Sequence, residues 1–152
     1  MDGNIIRSTH ITQQQRVGDF TTTEGRDFLK SRSPLFHVDK ICRPLLIGQG
    51  AQDPRVKQAE SDQVVAAMQQ KGIPVTYLLY PEEGHGFDRP ANKISFFAVT
   101  EAFLSEHLGG KYEPIGGDFE GANFRVPAGV ADVPGLEGEF RDRKSAGGNS
   151  DV

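Results

Sequence analysis

Two residues carry the chemistry in this sequence, Asp53 and His85. His85 stands between Gly84 and Gly86 in the stretch Tyr80-Pro81-Glu82-Glu83-Gly84-His85-Gly86-Phe87, just past an apolar run from Val75 to Tyr80. A histidine flanked by glycines on a tight loop presents an imidazole with little bulk around it, and imidazole is the side chain that takes and gives protons near neutral pH. Taken alone, the same loop is more often an ordinary polar surface turn. What lifts it above that is Asp53, which follows another short apolar run, Pro44-Leu45-Leu46-Ile47-Gly48. A carboxylate that accepts the Nδ1–H of an imidazole fixes its tautomer and stabilises the imidazolium formed during general base catalysis.

The elements that must position this pair follow from local pattern. Continuous apolarity in residues 44–48 and 75–80 predicts two strands buried on both faces, as in a parallel sheet. Between them, Asp53-Pro54 reads as helix N-cap and first-turn proline. The helix is expected over Val56 to Lys71, with Val64, Ala67 and Met68 on one face and Gly72 ending it. Strand, helix, strand is a βαβ unit. In an open parallel sheet the loops after both strands emerge at the carboxyl edge, where functional groups converge. A further helix is expected from Pro90 to Leu108. Two apolar rows run along it: Phe96, Val99 and Phe103, then Phe97, Leu104 and Leu108. Burying all six would stabilise by on the order of 10 kcal/mol before entropy. His107, in its last turn, suits the helix dipole.

Upstream, residues 1–15 read as a poorly ordered lead-in. Thr21-Thr22-Thr23-Glu24 then starts a short helix running to about Ser31, with Phe28 and Leu29 inward, and Ser33-Pro34 stops it. Downstream, ten of the 18 glycines lie in the last 44 residues. Residues 111–136 read as an irregular arm pinned to the domain by Phe119 and Phe124, and residues 137–152 as a disordered tail.

Composition narrows the function classes. The 152 residues suit one domain, with net charge −4 and no basic cluster, so a nucleic-acid surface is not expected. No apolar run reaches the length of a membrane span, and Met1-Asp2-Gly3-Asn4 does not open a secretory signal. The single cysteine, Cys42, allows no internal disulfide and is expected to be a small buried residue beside a strand. Glu82, Glu83, His85 and Asp88 offer a weak metal alternative, since clustered loop acids usually mean a solvated turn; no cofactor or metal is expected.

The order acid then histidine is that of α/β-hydrolases. Ser33-Pro34-Leu35, Pro44-Leu45-Leu46-Ile47-Gly48-Gln49-Gly50, Asp53-Pro54-Arg55-Val56, Tyr80 to Phe87 and Arg89-Pro90 together resemble the C-terminal part of a prolyl oligopeptidase-type serine peptidase. The acylaminoacyl- and dipeptidyl-peptidase-like branch is most similar, over about Arg16 to Leu136. The resemblance implies an α/β fold: the C-terminal βαβα portion of an α/β-hydrolase sheet, spanning residues 16–110. It implies Asp53 as triad acid and His85 as general base. In the family this domain joins a β-propeller that restricts entry to short peptides, so the implied partner is a short peptide substrate.

One departure weighs most. The family nucleophile lies in a Gly-x-Ser-x-Gly elbow upstream of the acid, and no such motif occurs here. Cys42 does not replace it, because it precedes a strand. The chain is therefore expected to be a fragment of a serine peptidase that carries base and acid without nucleophile, inactive alone. Its uncovered apolar face is expected to need the rest of the domain or self-association. The alternatives are a non-catalytic interaction module using that face, or a fragment of an α/β-hydrolase esterase.

Overall fold

The computed structural model describes residues 18–146. They fall into two compact units that divide between Ile41 and Cys42.

Among its described residues the first unit has helix α1 (Thr23–Arg32) and a 3-10 segment, Pro34–Lys40. The Thr22 hydroxyl accepts a hydrogen bond from the Gly25 amide at 3.0 Å, satisfying one of the amides a helix start leaves without a partner. Glu24 in the first turn and Lys30 and Arg32 in the last complement the helix dipole. Leu29 is half-buried, but Phe28, expected inward, is about half exposed and takes the Arg32 guanidinium over its ring. The expected lead-in over residues 1–15 lies outside the described residues.

The second unit is built on a three-stranded sheet in the order β1-β2-β3. The strands are β1 (Leu45–Gly50), β2 (Val75–Tyr80) and β3 (Arg125–Ala128). β1 and β2 pair in parallel, Leu45 opposite Val75 and Gly50 opposite Tyr80. Helix α2 (Gln58–Gln70) is the crossover between them. Gly72 ends it with φ +67°: its amide bonds to Gln69 C=O and the Ile73 amide reaches back to Met68 C=O, a paired C-terminal closure that a left-handed glycine permits. Met68 and Val65 are its buried residues, while Val64 and Ala67 are half-buried. The face is turned one position from the one the sequence suggested.

β2 is buried along its whole length. Leu78 and Tyr80 point into a cluster with Val99 and Ala102 of helix α3 (Pro90–Leu108) and with Ile115, Phe119 and Phe124 of the following arm. On its other face the Tyr77 hydroxyl donates to Asp62 of α2 at 3.1 Å, and burial together with that carboxylate pushes the phenol well above its ordinary pKa. β1 departs from expectation. Leu45, Leu46 and Ile47 are only half-buried, because among the described residues β1 has a neighbouring strand on one side only.

Four further expectations are corrected. The sheet is mixed, since β3 pairs antiparallel with β2, Tyr77 opposite Ala128. The sequence hides β3 because it is four residues long and contains Pro127, which only an edge strand tolerates. Residues beyond Leu136 are not all tail: helix α4 (Leu136–Ala146) buries Leu136 completely and sets the Phe140 ring 5.7 Å from Phe124. Cys42 is exposed. On α3, the row Phe96, Val99 and Phe103 turns toward the core, but Phe97, Leu104 and Leu108 are exposed, Leu108 at 79%. About half the burial expected of that helix is therefore made within the described chain.

Candidate active site

The site forms where β1 and β2 end. Their parallel pairing puts both carboxyl ends on one edge, so the loops that follow run side by side. Backbone hydrogen bonds hold the loops together: the Ala51 amide donates to Tyr80 C=O at 2.9 Å and the Gln52 amide to Glu83 C=O at 3.0 Å. The Gln52 side chain adds a bond to Pro81 C=O at 3.2 Å. Such close approach requires glycine at position 50. A Cβ there would lie 2.3 Å from Gly84 O and 2.4 Å from Glu83 O.

This joining of the loops brings Asp53 against His85. His85 Nδ1 is 2.9 Å from Asp53 Oδ2. The other carboxylate oxygen, Oδ1, accepts the amides of Arg55 at 2.7 Å and Val56 at 2.9 Å. Asp53 thus closes a turn and does not cap a helix. The helix begins five residues later, with Lys57 at the cap position and no side-chain cap bond, which corrects the expected start. Two oxygens with fixed partners leave the carboxylate little freedom. Partial burial, the largest single effect, pushes the Asp53 carboxyl up, but the Val56 and Arg55 amides and the His85 ring together hold it below the ordinary carboxylate value. It is ionised at neutral pH. Its anionic oxygen accepts the Nδ1–H of His85. The Asp53 side chain is 8% exposed and that of His85 is 46% exposed. The carboxylate is covered while the imidazole meets the outside.

An open cavity of about 470 Å³ adjoins the pair. Asp53 and His85 line it together with Val56, Phe87, Phe96 and Phe97. Its volume falls within the range of small-ligand sites. Gly48 faces Phe96 so closely that a Cβ would approach its ring to 2.5 Å. Phe87 packs between Tyr80, tilted at 4.3 Å, and Phe96, edge-on at 5.4 Å, which anchors the end of the histidine loop to the core. Among the described residues no serine lines the cavity. Ser61 donates to Gln49, and Ser95 lies buried between Tyr80 and Asn92.

Several residues of the site gave no clear signal in sequence. Gln49 is a buried polar residue at a strand end. Its amide nitrogen donates to Gly50 and Val56 C=O, tying β1 to the turn that Asp53 closes. Glu83, which entered only in the metal alternative, is 2% exposed and accepts the amides of Asp88 at 2.7 Å and Arg89 at 3.1 Å and the Asn92 side chain at 2.6 Å. Glu82 pairs instead with Arg89 at the surface. Among the described residues no group of three or more His, Cys, Asp or Glu is placed to hold a metal ion.

Residues 5–111 match the family model described as the prolyl oligopeptidase family. The chain belongs to that family. It is 62% identical over 122 residues to dipeptidyl aminopeptidase BIII of Pseudoxanthomonas mexicana, covering 80% of this chain and 18% of that protein. It is 56% identical over 97 residues to dipeptidyl peptidase family member 6 of Caenorhabditis elegans, covering 64% of this chain and 13% of that protein. Among solved structures, a puromycin-hydrolysing peptidase of Mycobacterium tuberculosis superposes with a TM-score of 0.57 at 33% identity, over 64% of this chain and 15% of that one. The α/β architecture is therefore that of part of an α/β-hydrolase peptidase. The chain spans less than a fifth of the length of the relatives it matches.

Proposed function

We propose that this chain supplies the general base and its orienting acid to a serine peptidase acting on short peptides, with His85 as base and Asp53 as acid. The observation that carries the reading is the 2.9 Å contact between His85 Nδ1 and an Asp53 carboxylate held ionised by two backbone amides. With Nδ1 occupied by its own proton, Nε2 accepts the proton of a serine hydroxyl as the oxygen attacks the scissile carbonyl. The imidazolium that results is stabilised by the Asp53 anion, and Nε2 then returns the proton to the leaving amine. The nucleophile comes from a segment other than this one. No serine here stands in a Gly-x-Ser-x-Gly elbow, so the 152 residues alone are inactive as a hydrolase.

A chimera in which this chain replaces the matching stretch of dipeptidyl aminopeptidase BIII tests the assignment. It is expected to show aminopeptidase activity that a fluorophosphonate blocks and that His85→Ala removes. A His85→Ala chimera as fast as its parent would reject His85 as the base. Comparing ester with peptide substrates in the same chimera separates a peptidase from an esterase.

The exposed residues Ile94, Phe97, Leu104 and Leu108 on α3, beside the half-buried outer strand β1, support a second element of the proposal. This face takes the remainder of the peptidase domain; Phe97 also lines the cavity, so the same face closes the site. The isolated chain is then expected to self-associate, and the chimera to be discrete by sedimentation. Self-association equally strong in the chimera would point to an interaction module instead.

A further inference from the structure

The histidine loop is only lightly braced: Gly84 and Gly86 bridge across His85, and Phe87 rests on Tyr80 and Phe96, but the tip between them packs on little else. Residues 84–87 contain two glycines, and Gly86 adopts φ +106°, a conformation no other residue adopts without strain. Nothing within 4 Å would oppose a Cβ at Gly86, so the loop is not braced by packing at that point. The imidazole is therefore aimed largely from the loop's ends: Phe87 anchors one of them on the core, and Glu83 ties the two together. Its backbone carbonyl accepts the Gln52 amide and so fixes the Asp53 loop. Its carboxylate accepts the amides of Asp88 and Arg89 and so closes residues 84–87 into a ring of fixed span. The carboxylate is itself held by Asn92, whose Nδ2 donates to Oε1 at 2.6 Å. Asn92 Oδ1 accepts the Asn123 amide at 2.8 Å, across 31 positions of sequence. Ser95 completes the set, bonded to Asn92 C=O at 2.9 Å and to the Tyr80 hydroxyl at 3.0 Å. Glu83, Asn92, Ser95 and Tyr80 are all 2% exposed or less.

We propose that Glu83 and Asn92, through the amide of Asn123 in the arm that follows α3, form a positioning relay that sets the angle of His85 toward Asp53. Neither is a catalytic residue. Glu83 acts on His85 through the loop it closes, and Asn92 acts on Glu83. Satisfied buried networks of this kind specify one arrangement because each alternative leaves a polar group without a partner. The relay also gives the arm a role at the site. The segment carrying Asn123 is the outer anchor of the loop, although it lies far along the chain from both functional residues. The inference rests on the reading of His85 as the base, but its test does not.

The measurement is the tautomer of the neutral His85 ring, read from its nitrogen-15 shifts by NMR in the 152-residue chain. Asp53 selects the Nδ1–H form, which is expected to dominate in the unaltered protein. Glu83→Gln and Asn92→Ala are expected to raise the Nε2–H fraction several-fold. Asn92→Ser, a milder change, is expected to raise it less and serves if either of the others does not fold. Two controls separate positioning from general loosening. Glu82→Gln alters the same loop outside the relay, and Val65→Ala weakens the core at α2; both are expected to leave the tautomer unchanged. Folded Glu83 and Asn92 variants with the unaltered tautomer population would overturn the proposal, as would an equal shift in Val65→Ala. Because no turnover enters the readout, a chimera without peptidase activity would reject the function while leaving the relay standing.

Discussion

Asp53 and Glu83 occupy neighbouring loops at one end of the sheet, and both carboxyls are held below the ordinary carboxylate range. In each, burial pushes the pKa up and is outweighed: by the Val56 and Arg55 amides and His85 for Asp53, by the Asp88 amide, the Asn92 side chain and Arg89 for Glu83. They differ in what is left over. Glu83 spends every contact inside the protein, on two amides and an amide side chain. Asp53 gives one oxygen to the backbone and reserves the other for a half-exposed imidazole. The difference teaches where function resides in such a site. A buried carboxylate whose oxygens are all taken by structural amides shapes the fold, and one that keeps an oxygen for an accessible imidazole is placed to do chemistry.

That contrast predicts opposite consequences of mutation. The largest effect is expected at the exposed end: His85→Ala in the chimera should lower turnover by about 10³–10⁶-fold. The stability of the chain, followed by urea unfolding, should change by no more than about 0.5 kcal/mol. Asp53→Asn keeps an acceptor for the Arg55 and Val56 amides but offers the ring an amide that favours the wrong tautomer, so turnover should fall by roughly 10⁴-fold with the fold retained. Glu83→Gln reverses the pattern. It removes the charge from a buried acceptor of two backbone amides and a buried amide side chain, and should cost about 1–3 kcal/mol of stability by urea unfolding. A Glu83→Gln chain as stable as its parent would erase the distinction.

Acid sharpens the comparison further. Both folded-state pKa values lie below the unfolded ones, so each carboxylate contributes stability that is fully present above its unfolded value, about 4. That contribution is lost as pH falls through the lower folded value. The urea midpoint should hold from neutrality to near pH 5 and drop below pH 4, and the drop should be shallower in Glu83→Gln. The smallest effect is expected at Glu82, whose pairing with Arg89 is solvent-exposed: Glu82→Gln should change stability by no more than about 0.5 kcal/mol.

The parts of this architecture that sequence made legible are those where one local cause acts. The strand–helix–strand order follows from two short apolar runs and a glycine at position 72 that must be left-handed. Asp53 and His85 were legible because each follows a strand end, and parallel strands end at one edge. What stayed hidden depended on choices that tertiary contacts make. Helix α3 carries apolar residues on two adjoining rows, and only packing against Leu78 and Tyr80 decides that Val99 goes in and Phe97 stays out. The start of α2 was misplaced because Asp53 uses its capping geometry on a separate turn. β3 and α4 are short, with Pro127 in one and Gly138 in the other, and draw order from Phe124 and Leu136 reaching the core. Glu83 read as one of several loop acids because its partners, two amides and a side chain from the next helix, leave no periodic trace.

His85, aligned by Asp53, is proposed to activate a serine supplied by another segment. The rate at which a fluorophosphonate labels the chimera's serine tests it most directly, since labelling needs an activated hydroxyl but no peptide binding or product release. Labelling is expected to be fast with His85 in place and slower by several orders of magnitude in His85→Ala. Equal rates in the two proteins would contradict the account.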